Sequence, residues 1–597
     1  MFDHYFSFTP TPKRKRALLA TFMALAIMAC VLVATLVQAT FNRHDLLLTH
    51  DEAEHLTVMF AVERGERPYR DFIENHPLLP HVLLSKLRHF AGVEDSRELY
   101  RFAKGLVLLH FMGCIALLVA CLQRHRRKLM LHLPPLLTLP VAVALLGAWT
   151  LREMERESLW QLRPDWVCYF WALLSAMCAV GATRAETWRV TAVRVAVAAA
   201  CAGLATALLP KSVLILVPMG LALTLATAYR MAGQRIDWVR LKRFALILLS
   251  FGVGTVLVWA ALVEYELHET GVDWQTYWTA NVAMNSRMHL VMMAEDLSAV
   301  SQLRRLSGFS LPVALLVLWW GLVGAERARH RRQWLRYGLL CNCGLTLLLN
   351  VALPSFSNGL SWEHYFIPAM LVFVTVNTLM LDALASWAFV ITPKTRHLQS
   401  AWVRRLLRLL VPLVLVVAVL GVYAQRWIDI SARQRELLAS EQLAATLYPG
   451  MTASPLPDYL LPVDLSYLSR TPANKPLRAR GWGYFFMLSA DRGLWQSAHE
   501  LGLAPDPATH WRTLYAAEPP DVIRLGSVAE LQSFLRMVYR MQGADLGWIE
   551  QAMARDYRCM QRLGTRVHVH RMQVARFESE HWVACRVEEE IPLWKVL

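Results

Sequence analysis

Charge is scarce in this chain: only 18% of its 597 residues are Asp, Glu, Lys or Arg, against 55% that are hydrophobic. That balance excludes an ordinary water-soluble globular protein and points to a polytopic membrane protein. Acidic residues are the scarcer sign, 46 against 62 Lys and Arg, which leaves a formal charge of +16. Such an excess raises nucleic acid as a partner, yet the basic residues fall in short clusters between apolar runs rather than on one soluble face. They read as signals that orient helices, and nucleic acid is not expected. Cysteine is also sparse, at 10 residues. Eight of the ten lie in or beside apolar runs, where cysteine packs as a small hydrophobe, and no paired-cysteine motif appears. A phosphate-binding glycine loop and a nucleophile elbow are missing too, which removes the chemistries that depend on them.

What the chain does have is long apolar segments. Windows of about 17 to 25 apolar residues, the length that a hydrocarbon core of roughly 30 Å requires, recur through the first 425 residues. They predict eleven spans, at 17-39, 102-122, 130-149, 164-182, 194-209, 212-229, 244-263, 310-325, 337-353, 365-387 and 407-425. The first follows Lys13-Arg14-Lys15-Arg16 without a small-residue cleavage pattern and reads as a retained signal anchor.

Charge placement tests the count independently, because cytoplasmic loops hold the excess of Lys and Arg. Arg124 to Lys128, the stretch with Arg184, Arg189 and Arg194, Arg230 to Arg243, Arg327 to Arg336 and Lys394 to Arg408 all fall on the side of the N-terminal basic run. The opposite face receives the loop 40-101, Leu151 to Trp160, the turn at Pro210-Lys211, the loop 264-309, Pro354 to His364 and everything after Tyr423. The expected organisation is a transmembrane domain over 1-425, cytoplasmic at its N-terminus, and an extracytoplasmic soluble domain over 426-597.

That second segment is less apolar. Helical periodicity over Val528 to Met541, a short apolar run at Val522-Ile523 after Pro519-Pro520, and strand-like alternation from Arg566 to Val574 predict a small mixed α/β module. It holds the remaining two cysteines, Cys559 and Cys585, which an oxidising compartment would join.

Polar residues collect on the external face. Between Thr49 and His81 the chain reads THDEAEHLTVMFAVERGERPYRDFIENHPLLPH, dense in carboxylates, histidines and arginines directly after an apolar span. Asp51 and Glu52 follow the first span, Arg163-Pro164-Asp165 opens the fourth, Lys211 sits between the fifth and sixth, and Glu363-His364-Tyr365 opens the tenth. Ionisable groups beside lipid are costly to desolvate, so their gathering on one face marks a candidate site near the headgroups.

These motifs carry a resemblance. The acidic pair, Gly65-Glu66-Arg67-Pro68-Tyr69-Arg70-Asp71-Phe72, Glu74-Asn75-His76-Pro77-Leu78, Leu162-Arg163-Pro164-Asp165 and His364-Tyr365-Phe366-Ile367-Pro368 resemble the membrane-embedded GT-C glycosyltransferases. The type includes protein mannosyltransferases and the lipid A aminoarabinose transferase. The likeness runs through the membrane domain and weakens in the external one, where Pro519-Pro520-Asp521-Val522-Ile523 is its main echo; His76-Pro77-Leu78-Leu79 departs from the His-Pro-Pro-Leu of many relatives.

The resemblance implies transfer of a sugar from a polyprenyl-phosphate donor to a hydroxyl of an envelope acceptor, whether lipopolysaccharide, another glycan or protein. The place would be the periplasmic face of a bacterial inner membrane. In that reading Asp51 is the general base with Glu52 next in line, and Lys211, Arg163 and His76 hold the donor phosphate. Asp165, Glu74, His364 and Tyr365 contact substrate. Neither a metal nor a covalent intermediate is required; dependence on a divalent metal stays open.

Plainer readings stand beside these. Asp51 and Glu52 also suit the first turn of an interfacial helix, Arg163 and Asp165 a local ion pair, Lys211 an interface anchor, and Glu363-His364 a helix-entry pair. Trp149, Trp160, Trp362 and Tyr365 fit an aromatic belt. His50, His55, His76 and His81 match no standard zinc spacing. Among rival functions, a transporter of lipid-linked glycans would place charges near the bilayer midplane and often shows repeats, and none is found here. A polysaccharide polymerase or ligase works at the same face, but its usual site lies in later periplasmic loops.

Overall fold

The computed structural model describes residues 50–63, 65–69, 72, 74, 76–93, 96–124, 162–183, 185, 187–213, 216–217, 220, 238–284, 452–454, 478–479, 498–503, 521–523, 547, 551, 554–562 and 565–585. Of the eleven expected spans, 17-39, 130-149, 310-325, 337-353, 365-387 and 407-425 lie outside these residues, as does most of 212-229. Four described helices are long and apolar enough to cross a membrane.

The first loop is largely helical. Helix α1 (His50–Glu63) ends at Gly65, whose φ of 76° is the left-handed geometry that closes a helix. The Gly65 and Glu66 amides return to the carbonyls of Val62 and Ala61, at 3.0 Å each. Helix α2 (Leu79–Ala91) opens with a proline in its first turn and closes on Gly92 at φ 67°. The two pack as a pair that runs in the same sense, start beside start at His55 and His81, and end beside end where Arg88 of α2, 2% exposed, clasps Glu63 of α1 through Nε at 3.0 Å and Nη2 at 2.7 Å.

Helix α3 (Ser96–Arg124) buries Leu99, Tyr100, Ala103, Val107, Phe111 and Cys114, a stripe at helical spacing. Helix α4 (Asp165–Ala182) starts at the expected place. It packs on α3 through Phe111 against Trp166, with ring centroids 4.8 Å apart.

Helix α5 (Trp188–Leu208) is longer than the expected 194-209, because Thr187 caps it with a side-chain oxygen that accepts the Val190 amide at 3.4 Å. Arg189 and Arg194 therefore sit in the helix rather than in a loop. Arg194 turns back to donate to the Gly181 carbonyl at 2.7 Å. Helix α6 (Trp238–Thr270) overruns the expected 244-263 at both ends, so the loop 264-309 begins as helix. It is followed by the short helix α7 (Trp274–Trp278), capped by Asp273, and a π-helical turn at Thr279–Met284.

Small residues bring the long helices together. Helix α5 buries Ala198, Ala199, Ala202 and Ala205, and a Cβ on Gly203 would stand 2.7 Å from Val258 of α6. A Cβ on Gly254 would meet Ala199 at 2.9 Å. Without water to segregate apolar surface between helices, close backbone approach of this kind supplies the packing. The other face of α6 exposes Leu246, Leu249, Val253, Val256 and Leu257, an apolar surface suited to lipid.

Among the described residues, the C-terminal segment places six strands in one sheet, in the order β2-β1-β3-β5-β4-β6: β1 (Thr452–Ser454), β2 (Arg478–Ala479), β3 (Val522–Ile523), β4 (Tyr557–Arg562), β5 (Thr565–His570) and β6 (Val583–Ala584). Strand β1 pairs in parallel with β2 and β3, and the remaining pairings are antiparallel. Val567 and Val569 are buried with Met560, Phe577 and Trp582, and His568 between them is buried as well.

The strand stops at His570, short of the expected Val574. There the His570 side chain accepts the Met572 amide at 3.4 Å, and the chain turns into helix α8 (Val574–Ser579). The expected helix at Val528 to Met541 lies outside the described residues. Cys559 and Cys585 are joined, with Cα atoms 5.4 Å apart.

Candidate functional site

The helix ends decide which residues meet. Helices α4 and α5 run antiparallel, so the start of α4 lies beside the end of α5: Cys168 Sγ donates to the Leu209 carbonyl at 3.6 Å. The chain then turns through a 3-10 segment, Pro210–Ser212, that carries Lys211. Helix α6 returns to the same end, where Leu262 and Trp259 pack with Ala207, Leu208 and Leu79. Helix α1 joins them through Leu56, Met59 and Phe60, which share one apolar cluster with Leu162, Trp166 and Leu209. One end of the helical assembly thus collects α1, α2, the start of α4, the Lys211 turn and the C-terminal turn of α6.

Into this end the first loop turns its polar groups. Pro68 and Phe72 pair as an isolated bridge, and the Tyr69 amide donates to the Phe72 carbonyl at 2.6 Å. The tight turn holds Tyr69 at φ 64°, a left-handed conformation that costs a residue with a Cβ on the order of 1 kcal/mol. Its ring is 8% exposed. Burial first, then the nearby Glu266 and Glu74 carboxylates, push the Tyr69 hydroxyl well above the ordinary phenol range, so it stays protonated.

Glu74 is wholly buried. It accepts both the His76 amide, at 2.8 Å, and His76 Nδ1, at 2.7 Å, on the same oxygen Oε1. Burial alone would raise the Glu74 carboxyl; the His76 hydrogen bond and the charges of His76 and His81 outweigh it and hold the group below the usual carboxylate range. His81 of α2 lies against His55 of α1, Nε2 to Nδ1 at 3.0 Å, and burial pushes the His81 imidazole down to about 4. The His55 ring also stands 5.1 Å from that of His76. The result is a continuous histidine and carboxylate cluster beside the α1–α2 pair. Among the described residues, no three His, Cys, Asp or Glu side chains gather as a metal ion would need.

Arg163 and Asp165 form an ion pair, Nε to Oδ2 at 3.2 Å, with both side chains buried at the mouth of α4. The guanidinium is thereby fixed in orientation at the same end as the Lys211 turn. Of the residues singled out in the sequence, Glu74, His76, Arg163 and Asp165 are therefore gathered here. Asp51 and Glu52 lie in the first turn of α1, and Lys211 in its turn; their side chains lie outside the described residues, as do His364 and Tyr365 entirely.

Sequence reasoning missed several members. His55 and His81 drew notice only as possible metal ligands, and Tyr69 only as part of a motif. Glu266 was passed over altogether. It is fully buried, and its Oε1 accepts the Leu78 amide at 2.8 Å. A usable signal existed: a carboxylate in the last turns of an otherwise apolar helix is costly unless it has a partner. Tyr277 of α7 and Asn281 of the π-helical turn are buried nearby, and burial with the Glu266 charge pushes the Tyr277 hydroxyl upward.

No family model and no curated protein matches this chain. Among solved structures, AglB of Archaeoglobus fulgidus, in complex with an inhibitory peptide and a dolichol-phosphate, is 12% identical; the match covers 96% of this chain and 75% of that one, with a TM-score of 0.42. The Archaeoglobus fulgidus oligosaccharyltransferase in complex with Zn and sulfate is 13% identical, covering 92% and 73%, with a TM-score of 0.45. Likeness at this level assigns no role to any residue. The chain is similar along most of its length to ArnT from Cupriavidus metallidurans in the apo state, at 15% identity over 90% of this chain and 97% of that one, with a TM-score of 0.47.

Proposed function

We propose that this chain is a multi-pass membrane glycosyltransferase of the GT-C type. It moves a sugar from a polyprenyl-phosphate donor to a hydroxyl of a cell-envelope acceptor at the periplasmic face of a bacterial inner membrane. The observation that carries the reading is the gathering of Glu74–His76, His55–His81 and Arg163–Asp165, all buried or nearly so, at the one end of the apolar helices where α1 and the Lys211 turn also lie. The motifs of the first loop supply the class of reaction.

The acceptor oxygen attacks the anomeric carbon as its proton passes to the Asp51 carboxylate, with Glu52 beside it in the first turn of α1. The bond to the phosphate oxygen breaks and the electron pair leaves with the lipid phosphate. Negative charge grows there, which Arg163 and Lys211 offset, with His76 as a third donor. Asp165 orients Arg163 through its Nε and contacts substrate, and Glu74 orients His76. His364 and Tyr365 complete the substrate contacts, and the 426-597 domain stands outside the cytoplasm. The single displacement inverts the anomeric configuration.

The test is transfer by purified protein given a polyprenyl-phosphate sugar and envelope acceptors. Asp51→Asn keeps the shape of the side chain but cannot take the proton, so turnover should fall by roughly a hundredfold or more while insertion is unchanged. Wild-type turnover in that variant would remove Asp51 from the role. Loss of export rather than of transfer would favour the transporter.

A further inference from the structure

Helix α2 begins without a cap of its own. Leu78 stands at its N-cap and supplies no side-chain hydrogen bond. The acceptor comes instead from 188 positions away, as Glu266 Oε1 takes the Leu78 amide at 2.8 Å. A carboxylate at a helix N-terminus is favoured by the aligned peptide dipoles as well as by the hydrogen bond. One turn further along α6, Glu269 pairs with Lys86 of α2 at 2.8 Å. Two acidic residues of α6, three apart and so on one face, therefore strap α2 to the long apolar helix at two points. Leu79, packed on Leu262 and Trp259, fills the space beside them.

The strap continues into α1. His81, in the first turn of α2, meets His55 at 3.0 Å, and Arg88, in its last turn, holds Glu63. These two links fix α1 on α2 at both ends of the pair, start to start and end to end. Asp51 precedes His55 by four residues in α1, one helical turn. This series of paired groups runs from α6 through α2 to α1, beside the apolar cluster in which Leu56, Met59 and Phe60 of α1 join Leu162, Trp166 and Leu209.

We infer that Glu266 is a positioning residue: anchored in α6, it holds the α1–α2 pair, and with it the turn that carries Asp51, at the end where Arg163 and the Lys211 turn lie. The inference rests on the transferase reading for its catalytic part, and on geometry alone for its positional part. Glu266→Gln keeps a carbonyl oxygen for the Leu78 amide, whereas Glu266→Leu keeps the volume and removes the acceptor.

The experiment measures transfer kinetics and amide hydrogen exchange for full-length wild type and both variants in lipid nanodiscs. Glu266→Leu should raise exchange over residues 50–91 while leaving α4 and α5 unchanged. It should also lower kcat at least tenfold with the donor KM shifted much less. Glu266→Gln should restore both readouts to within about threefold of wild type. Unchanged exchange over 50–91 in the Leu variant overturns the positional role, whatever the activity. Loss of activity in both variants with unchanged exchange also overturns it, since the charge would then act directly. Should wild type show no transfer while the exchange pattern follows expectation, the strap stands and the transferase reading falls.

Discussion

The α5–α6 interface and the α1–α2 pair are held by different means. Along most of its length the first relies on absence of side chain: Gly203 and Gly254 let backbones approach until the next atoms are Val258 and Ala199, and at one end Arg243 of α6 donates to Thr191 Oγ1 of α5 at 2.7 Å. The second relies on charge and hydrogen bonds, with Arg88–Glu63, His81–His55, Glu266–Leu78 and Lys86–Glu269 as its fastenings. Apolar surroundings explain the difference, because lipid-like environments give helices little reason to segregate and reward close contact instead. At the boundary, ionisable side chains have partners within reach and fewer apolar neighbours to fill space. The interface is therefore sensitive to volume, and the helix pair to protonation and to the loss of single partners.

Removing a partner from the helix pair should have the largest effect. Arg88→Ala leaves the Glu63 carboxylate, itself only 12% exposed, without its bidentate partner, and stranding one member of a buried pair costs roughly 3–5 kcal/mol. Hydrogen exchange should show the helix pair opening while α4 to α6 stay protected. A variant with wild-type protection over 50–91 would mean that the ion pair carries little of the helix pair's stability.

Where the glycines sit, the interface should answer to volume. Gly203→Ala places a methyl where Val258 and the Thr255 carbonyl stand at 2.7 and 2.9 Å, and overpacking of this sort costs about 1–3 kcal/mol. The midpoint of thermal unfolding in detergent should fall, and the change should not depend on pH. An unaltered midpoint would show that α5 and α6 can slide apart freely.

Acid should loosen the helix pair and spare the interface. Unfolded, the His81 imidazole binds its proton near 6.5, and folded, near 4, because burial disfavours the charged ring. Between those values the unfolded form holds more proton, so stability is fully present above about 6.5 and is lost as pH falls toward 4. At pH 5 the loss comes to about 2 kcal/mol. Glu74 acts with the same sign, since its lowered pKa is a stabilisation lost on acidification. Limited proteolysis within 64–78 at pH 7.5 and pH 5 would measure it; equal rates at both would remove the histidines from the helix pair's stability. His81→Gln should flatten the dependence.

Local features were legible because their causes are local. Pro164-Asp165 marked the start of α4, Pro210-Lys211 the turn after α5, and the alternation from Arg566 a strand, each from residues within a few positions of the event. The cysteine pair was legible by elimination and compartment. The ends of α5 and α6 were misread for one reason: hydropathy falls where arginines and glutamates enter, yet a helix continues if those side chains find partners. Arg194 finds the Gly181 carbonyl, and Glu266 and Glu269 find α2.

Composition and order along the chain were therefore enough to establish apolar helices, the boundary where ionisable groups collect, and the motifs of the first loop, because hydropathy and turn chemistry are properties of neighbours in sequence. The pairing of His55 with His81, the left-handed Tyr69 and the Glu266 cap on α2 were decided by tertiary structure alone. A contact across 188 positions leaves no periodic trace. Its free energy exists only once α5 and α6 have packed and brought the last turns of α6 to the first loop.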